Sequence, residues 1–561
     1  MSDSFPVFAF DHDHGTPART LAELLGGKGA GLAEMTSALG LPVPPGFTIA
    51  IPLCRDHRAN GWPDGLDEAL AAHCARLGER VGRRLGDERE PLLLAVRSGS
   101  VRSMPGMLDT VLDLGLNDVT VEALARSSGD EVFAWDSYRR FLRMYATTVL
   151  GCDQRVFGPK GAGGAADALR TEVDDLRSRI VAATGSGVPA DPVDQLRQAV
   201  EAVFRSWDSP RARAYREHEG IPDDLGTAVN VQAMVFGNRG ADSGTGVVFS
   251  RDPSTGERTP YGDFLPQAQG EDVVAGGART VPVADMATLM PGTWDELQGV
   301  LRRLEVHYRD VCDVEFTVER GRLYVLQTRV GKRSAVAAVR CAVDMVDDPY
   351  IALSTDEALD RAPDEVRAAA RHNCLAAAGV GAQTSEPLVV GLGASPGRVS
   401  GRAVFSAEEA AEDETDDPII LVRPETSPED VAGMAVSVGV LTGTGGLVSH
   451  AAVVARGWGI PAVVGAAALR IDESGATAEN GARIGPGDVV TIDGTTGEVW
   501  LGEVVGVAGD PALEDAVVAR SLPELVRLAD WASAQRNGLH SELHPVTGGR
   551  SVGRADERGS P

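Results

Sequence analysis

Apolar and polar positions follow two periods along this chain, and the changes between them predict its elements. Residues 21–39 are an Ala/Leu/Glu stretch with helical spacing, interrupted at Gly26-Gly27-Lys28-Gly29 and ended by the prolines at 42, 44 and 45. Gly46-Phe47-Thr48-Ile49 then opens a strand, and residues 92–97 form a short apolar strand that runs into Ser98-Gly99-Ser100. Residues 115–220 are helical in pattern with a Gly-rich break at 158–166, which predicts a helical insert. Strands are predicted at 227–234, 246–250, 313–318 and 323–328. Residues 336–387 are Ala-rich and predict a helical linker arm. From 388 the pattern turns to short Val/Ile/Gly-rich strands at 402–405, 419–423, 438–442, 462–465 and 489–492. They predict a compact domain of about 120 residues ending near Leu501. Residues 506–561 predict one helix and then, from about Asn537, a disordered tail rich in Gly, Ser, Arg and Asp. The expected domains are 1–335, 336–387, 388–505 and 506–561.

Composition narrows the class. With 561 residues, 43% hydrophobic and 24% charged, the chain reads as a multidomain soluble protein of mixed α/β and α+β class. No apolar run approaches the roughly 20 residues that span a bilayer, and the acidic N-terminus lacks the basic, apolar pattern of a signal peptide. Six cysteines without CxxC pairing predict reduced structural thiols, and with the rest a cytoplasmic location. The formal net charge of −28 argues against a nucleic-acid partner, since binding a phosphate backbone needs a basic face. A nucleotide can still bind where a few Lys and Arg are concentrated.

The strongest chemical signal is Gly445-Gly446-Leu447-Val448-Ser449-His450-Ala451-Ala452. The glycines release a turn, Ser449 is placed to cap a helix, and His450 falls in its first turn on an exposed corner. The positive helix end disfavours imidazolium, so His450 is expected to be neutral and nucleophilic at pH 7, with helix amides ready to hold a phosphoryl group. Elsewhere, Gly26-Gly27-Lys28-Gly29-Ala30-Gly31 sets one lysine in a glycine-rich turn that lacks Walker A spacing. Arg97-Ser98-Gly99-Ser100-Val101-Arg102-Ser103 offers guanidinium and hydroxyl donors in a loop after an apolar strand. Gly244 opens a strand followed by a tight turn at Asp252-Pro253-Ser254-Thr255-Gly256. Gln269-Gly270-Glu271-Asp272 places two carboxylates beside glycines. Asp313 and Glu315 share one face of a strand, and Gln327 and Arg329 share one face of the next, across the turn at Arg320-Gly321-Arg322. Taken singly, each pair fits a solvated strand face equally well. Hard oxygen ligands on neighbouring strands are nevertheless what Mg²⁺ bridging of ATP phosphates requires.

Together these segments resemble the pyruvate phosphate dikinase family over roughly residues 5–530, through the motifs above and others at Asp136-Ser137-Tyr138-Arg139-Arg140, 204–208, 228–238, 394–397 and 426–430. The resemblance implies an ATP-grasp-type nucleotide-binding region, then a swivelling β/β/α domain that carries phosphohistidine. It implies that Lys28, Arg97, Glu271, Asp313, Glu315, Gln327 and Arg329 bind ATP and Mg²⁺, with Glu315 and Gln327 as metal ligands. Arg97 is implied as catalytic, and His450 as the group that carries phosphoryl between sites. ATP and Pi would leave phosphohistidine, AMP and PPi. Two departures stand out. The family ends in a barrel that binds pyruvate and phosphoenolpyruvate and needs about 250 residues, whereas here about 30 follow its expected start. A separately supplied PEP/pyruvate-binding subunit is therefore expected. Val448 stands where the family commonly has a regulatory threonine. Two other outcomes stay open: a phosphohistidine carrier for a different acceptor, and a non-catalytic regulatory remnant.

Overall fold

Apolar runs of the first half of the chain pair into two sheets. The computed structural model describes residues 5–543 except 103, 105–106, 159–163, 271, 273–279, 379–385, 414, 416, 448 and 505–510. The first sheet holds β1 (Val7–Ala9), β2 (Gly46–Ile49), β3 (Leu94–Ser100), β4 (Thr110–Leu114) and β5 (Thr227–Ala233). Its order is β1-β2-β5-β3-β4, antiparallel throughout. Central β5 is buried along its whole length. Helices Asp118–Ser128, Glu131–Thr148, Ala166–Thr184 and Pro192–Ser206 cover this sheet, joining Phe141, Tyr145, Val203 and Phe204 to Leu94, Val96, Val229 and Val231 in one core. Asn117, Asp130 and Asp191 cap three of these helices with their side chains.

Residues Ala22–Ser37 form two helical stretches that meet at a kink, so the glycine-rich segment interrupts the helix at Gly26, as expected. The bend is at Gly26, at φ 70° and ψ 160°, a region open essentially to glycine alone. A Cβ there would lie 1.8 Å from the Gly99 carbonyl oxygen, so helix and β3 touch backbone to backbone. Arg97 lies within β3, not in the loop after it.

The second sheet holds β6 (Gly244–Phe249), β7 (Tyr261–Pro266), β8 (Val281–Pro282), β9 (Cys312–Glu319) and β10 (Arg322–Val330) in the antiparallel order β8-β7-β6-β9-β10. On β9, Val314, Phe316 and Val318 enter a core with helix Pro291–Tyr308, and Asp313 and Glu315 take the other face. On β10, Glu315 pairs with Gln327 but Phe316 pairs with Val325, leaving Leu326 as a bulge. The bulge reverses the alternation. Leu323 and Val325 enter the core, whereas Gln327 and Arg329, of the same parity, reach the face of Asp313 and Glu315.

The linker segment is not a lone arm. Helices Ala335–Asp347, Thr355–Arg361 and Asp364–Ala377 share a core with Pro511–Ser521 and Pro523–Leu543, through Val339, Val343, Leu359, Val518, Leu525 and Leu528. Two helices, rather than one, follow residue 510, and the second continues past Asn537 to Leu543. The first linker helix is also tied to the second sheet by the fully buried Arg251, which pairs with Glu305 at 2.7 Å and Asp344 at 3.1 Å.

The third unit is an eight-stranded sheet of β11 (Val389–Val390), β12 (Leu392–Ser395), β13 (Arg398–Val404), β14 (Ile419–Arg423), β15 (Gly439–Thr442), β16 (Ala462–Val464), β17 (Val489–Asp493) and β18 (Glu498–Leu501). The order is β11-β18-β17-β13-β14-β15-β16-β12, parallel only from β13 through β16. Helix His450–Trp458 crosses between β15 and β16, burying Ala451, Ala452, Val454 and Ala455 against the parallel strands. The six cysteines are free and buried. No described helix is long and apolar enough to cross a membrane.

Candidate active site

The bend at Gly26 and the bulge at Leu326 bring three elements to one charged cluster. A Cβ on Gly99 would lie 3.4 Å from the Cβ of Lys28, which places Lys28 over the end of β3. Arg97 donates through Nη2 to Glu315 Oε2 at 2.9 Å and through Nη1 to the Leu326 carbonyl, exposed by the bulge, at 3.2 Å. Gln327 Oε1 stands 3.5 Å from the same Nη2. Arg329 donates to Asp313 Oδ2 at 3.1 Å through Nε and to Glu315 Oε1 at 3.1 Å through Nη2. Six of the seven residues expected in a nucleotide site therefore meet; the seventh, Glu271, lies outside the described residues.

The electrostatics of the cluster are strongly coupled. Burial alone would raise the Glu315 carboxyl, but Arg329, Arg97 and Lys28 overcome it and hold it at about 2. Burial pushes Lys28 well down from the usual lysine range, helped by Arg97 and Arg329 and opposed by Glu315. Burial pushes Asp313 up against the pull of Arg329, and its Oδ1 is buried without a hydrogen bond. Two carboxylates and a carboxamide suit Mg²⁺, which keeps several waters and takes phosphate oxygens. Among the described residues, no three His, Cys, Asp or Glu converge as a self-sufficient metal cage.

His450 opens its helix, but not on an exposed corner: the ring is half-buried. Burial lowers its pKa from the ordinary histidine value against the opposing charges of Asp430 and Glu429, so desolvation, first among the causes, keeps it neutral. Ser449 holds the cap position, yet its Oγ is buried and makes no cap hydrogen bond. Thr426 Oγ1 lies 3.1 Å from Nδ1, and Nε2 is buried with no hydrogen-bond partner. With Nδ1–H donating to Thr426, the lone pair is on Nε2.

The chain that holds this charged cluster and this histidine matches known sequences. Residues 57–284 match the family described as pyruvate phosphate dikinase, AMP/ATP-binding domain, and residues 415–497 match PEP-utilising enzyme, mobile domain. The chain is thus similar in its first half to a dikinase nucleotide-binding domain and in its second to a PEP-utilising mobile domain. It is 44% identical over 540 residues to a pyruvate, phosphate dikinase of Rhizobium meliloti, covering 91% of this chain and 58% of the relative. A pyruvate, phosphate dikinase of Clostridium symbiosum is 43% identical over 502 residues (86% and 57%). A chloroplastic one of Flaveria pringlei is 46% identical over 516 residues (89% and 53%). The chain thus spans between 53% and 58% of these relatives' own length.

The two domains meet at the histidine helix. A Cβ on Gly446 would lie 2.9 Å from Asp263 Oδ2 on β7, and one on Gly457 would lie 2.6 Å from Lys332 Nζ. Sequence reasoning gave no role to Thr426 and Arg456, although both lie in segments that carry the resemblance, and did not single out Asp263. Asn230, in the segment 228–238, was likewise given no role; its Oδ1 accepts from Thr48 at 2.9 Å and would meet any side chain at Gly29. Val448, the departure at the regulatory position, lies outside the described residues.

Proposed function

We propose that the nucleotide-binding domain loads His450 from ATP. Nε2 attacks the β-phosphorus and displaces AMP. Pi then takes the γ-phosphoryl group as PPi, which leaves phosphohistidine. Pyruvate, the substrate in the relatives' names, is the acceptor that we propose. The observation that carries this reading is the unbonded Nε2 on a helix packed against the domain that holds the Lys28–Arg97–Glu315–Arg329 cluster.

In this reading the two five-stranded sheets clasp the nucleotide in the ATP-grasp manner, and the mobile domain swivels between loading and unloading. Lys28, Arg97 and Arg329 neutralise phosphate oxygens, which is most of the work in phosphoryl transfer. Asp313, Glu315 and Gln327 would hold Mg²⁺, which would supply positive charge to offset that of the phosphate oxygens. Thr426 fixes the ring so that Nε2 is the nucleophile.

The test uses ATP radiolabelled at the β-phosphate with Mg²⁺, with and without Pi. Base-stable, acid-labile label on the protein with matching AMP is expected, and PPi only when Pi is present. Bound ATP without protein label under either condition would overturn the reading in favour of regulatory nucleotide binding. The same assay checks the histidine's protonation. Since burial lowers the pKa, the neutral form persists as pH falls, and single-turnover loading should hold level from pH 8 through about 6.5 and drop only below it. A decline centred at or above 6.5 would contradict the buried, neutral ring.

A further inference from the structure

The histidine helix carries a second charged group that the proposed reaction does not use. Arg456 sits near its C-terminal end, and its Nη1 donates to the Ala394 carbonyl at 2.8 Å and its Nη2 to the Leu447 carbonyl. Both acceptors belong to the mobile domain, so the guanidinium is braced from its own side. What it faces belongs to the other domain. Its carbon lies 5.7 Å from the centroid of the Phe249 ring on β6, and the opposite charges acting on it are those of Asp313, Tyr261 and Asp263. Desolvation lowers its pKa to about 10, which leaves it cationic at neutral pH.

The surrounding contacts show that the two domains touch here. The Asp263 carboxylate abuts Gly446 and the Lys332 ammonium abuts Gly457. Trp458, next along the helix, packs its ring 6.0 Å from that of Tyr215, and Val431 of the mobile domain joins Met104, Met107 and Trp207 in one apolar cluster. Apolar packing of this kind gives area without choosing a register. A braced cation set against two carboxylates of the nucleotide domain does choose one.

We propose that Arg456 is a positioning residue that keys the mobile domain onto the nucleotide site, its guanidinium set over the Phe249 ring on the side where Asp263 abuts Gly446, so that His450 is presented for loading. The proposal rests on the reading of His450 as the loaded group. It adds a cation, delivered by the moving domain, whose partner Asp313 also belongs to the ATP cluster. Lysine should replace it poorly, because a point charge cannot both brace on two carbonyls and cover the ring.

The test measures docking directly. The six native thiols are buried, so cysteines placed at exposed Leu289 and Val489 take a donor–acceptor dye pair, one on each domain. In the full chain, Arg456→Met is expected to lower the docked population about tenfold, Arg456→Lys to recover little of it, and Asp263→Asn to give a similar loss from the opposite side. In the double variant the two losses should not add. A residue that merely braces its own domain would instead lower the melting temperature and leave the docked population intact. An unchanged docked population in Arg456→Met, or additive losses in the double variant, would overturn the proposal. If Arg456→Met does not fold, Asp263→Asn carries the same measurement from the nucleotide domain. Wild type that shows the dye shifts but takes no label from ATP would refute the loading reading while leaving Arg456 as the docking residue. Label on wild type with no dye shift in either variant would refute the docking role alone.

Discussion

Alanine at His450 is expected to remove all protein-bound label from β-labelled ATP, a loss of at least about 10⁴-fold, while ATP affinity stays within about twofold of wild type. The split follows from where the groups reside. Arg97, Asp313, Glu315, Gln327 and Arg329 lie on the two sheets and Lys28 on the helix packed against β3, and they face one another, not the ring. The neighbouring hydroxyl of Ser449 is buried without a hydrogen bond and has no base beside it, so it cannot take over as nucleophile. Ser449→Ala should therefore keep loading within about threefold, because it forfeits no cap hydrogen bond. Acid-labile label on His450→Ala would place the phosphoryl group elsewhere. Weakened ATP binding in that variant would mean that the ring helps to form the nucleotide pocket.

Methionine at Arg97 is expected to slow single-turnover loading by about 10²- to 10³-fold, with a smaller loss of ATP affinity. Arg97 joins β3 of the first sheet to Glu315 on β9 and to the bulged carbonyl on β10 of the second, so it ties the sheets together as well as being the phosphate-facing cation of the proposed reading. Its removal leaves Glu315 with Arg329 as its remaining hydrogen-bonded partner and takes away one of the three charges that hold that carboxyl at about 2. The melting temperature should fall modestly, because Arg329 still compensates the buried carboxylate. Arg97→Lys restores the charge without the fork and should recover less than about a tenth of the rate. Rapid-quench loading at saturating ATP reads the first effect, and equilibrium titration the second. An unchanged rate with a large loss of affinity would make Arg97 a ground-state binding residue only.

Much of this site was legible because its signals are local. Two carboxylates at alternate positions and a Gln/Arg pair across a short turn predict neighbouring strand faces, and Glu315 does pair with Gln327 and Asp313 with Arg329. The glycine pair before Ser449-His450 marked a helix start that the structure shows at His450. What escaped was non-local. Glycines inside a helical stretch marked the break at Gly26 but not its reason, the backbone of Gly99 on a strand read separately. Arg97 was assigned to a loop because serines and glycines follow it, whereas pairing with β5 carries the strand on to Ser100. The linker helices looked solitary because the helices that bury their apolar faces lie more than a hundred residues downstream. His450 was expected at an exposed corner because an N-terminal helix position says nothing of what folds over it.

The unpaired Leu326 has a consequence for how this hairpin can change. Side chains on a strand are assigned to a face by counting, and one uncounted residue lets the odd-numbered positions of β10 serve the interior before it and the charged face after it. Were the ladder regular over the same length, with Leu326 opposite Glu315, Gln327 would fall opposite Val314 and Arg329 opposite Cys312, and a carboxamide and a guanidinium would turn into the oil that Leu323 and Val325 fill. Removing Leu326 itself would leave Gln327 opposite Glu315 and Arg329 opposite Asp313. Register here is as much a part of the motif as identity.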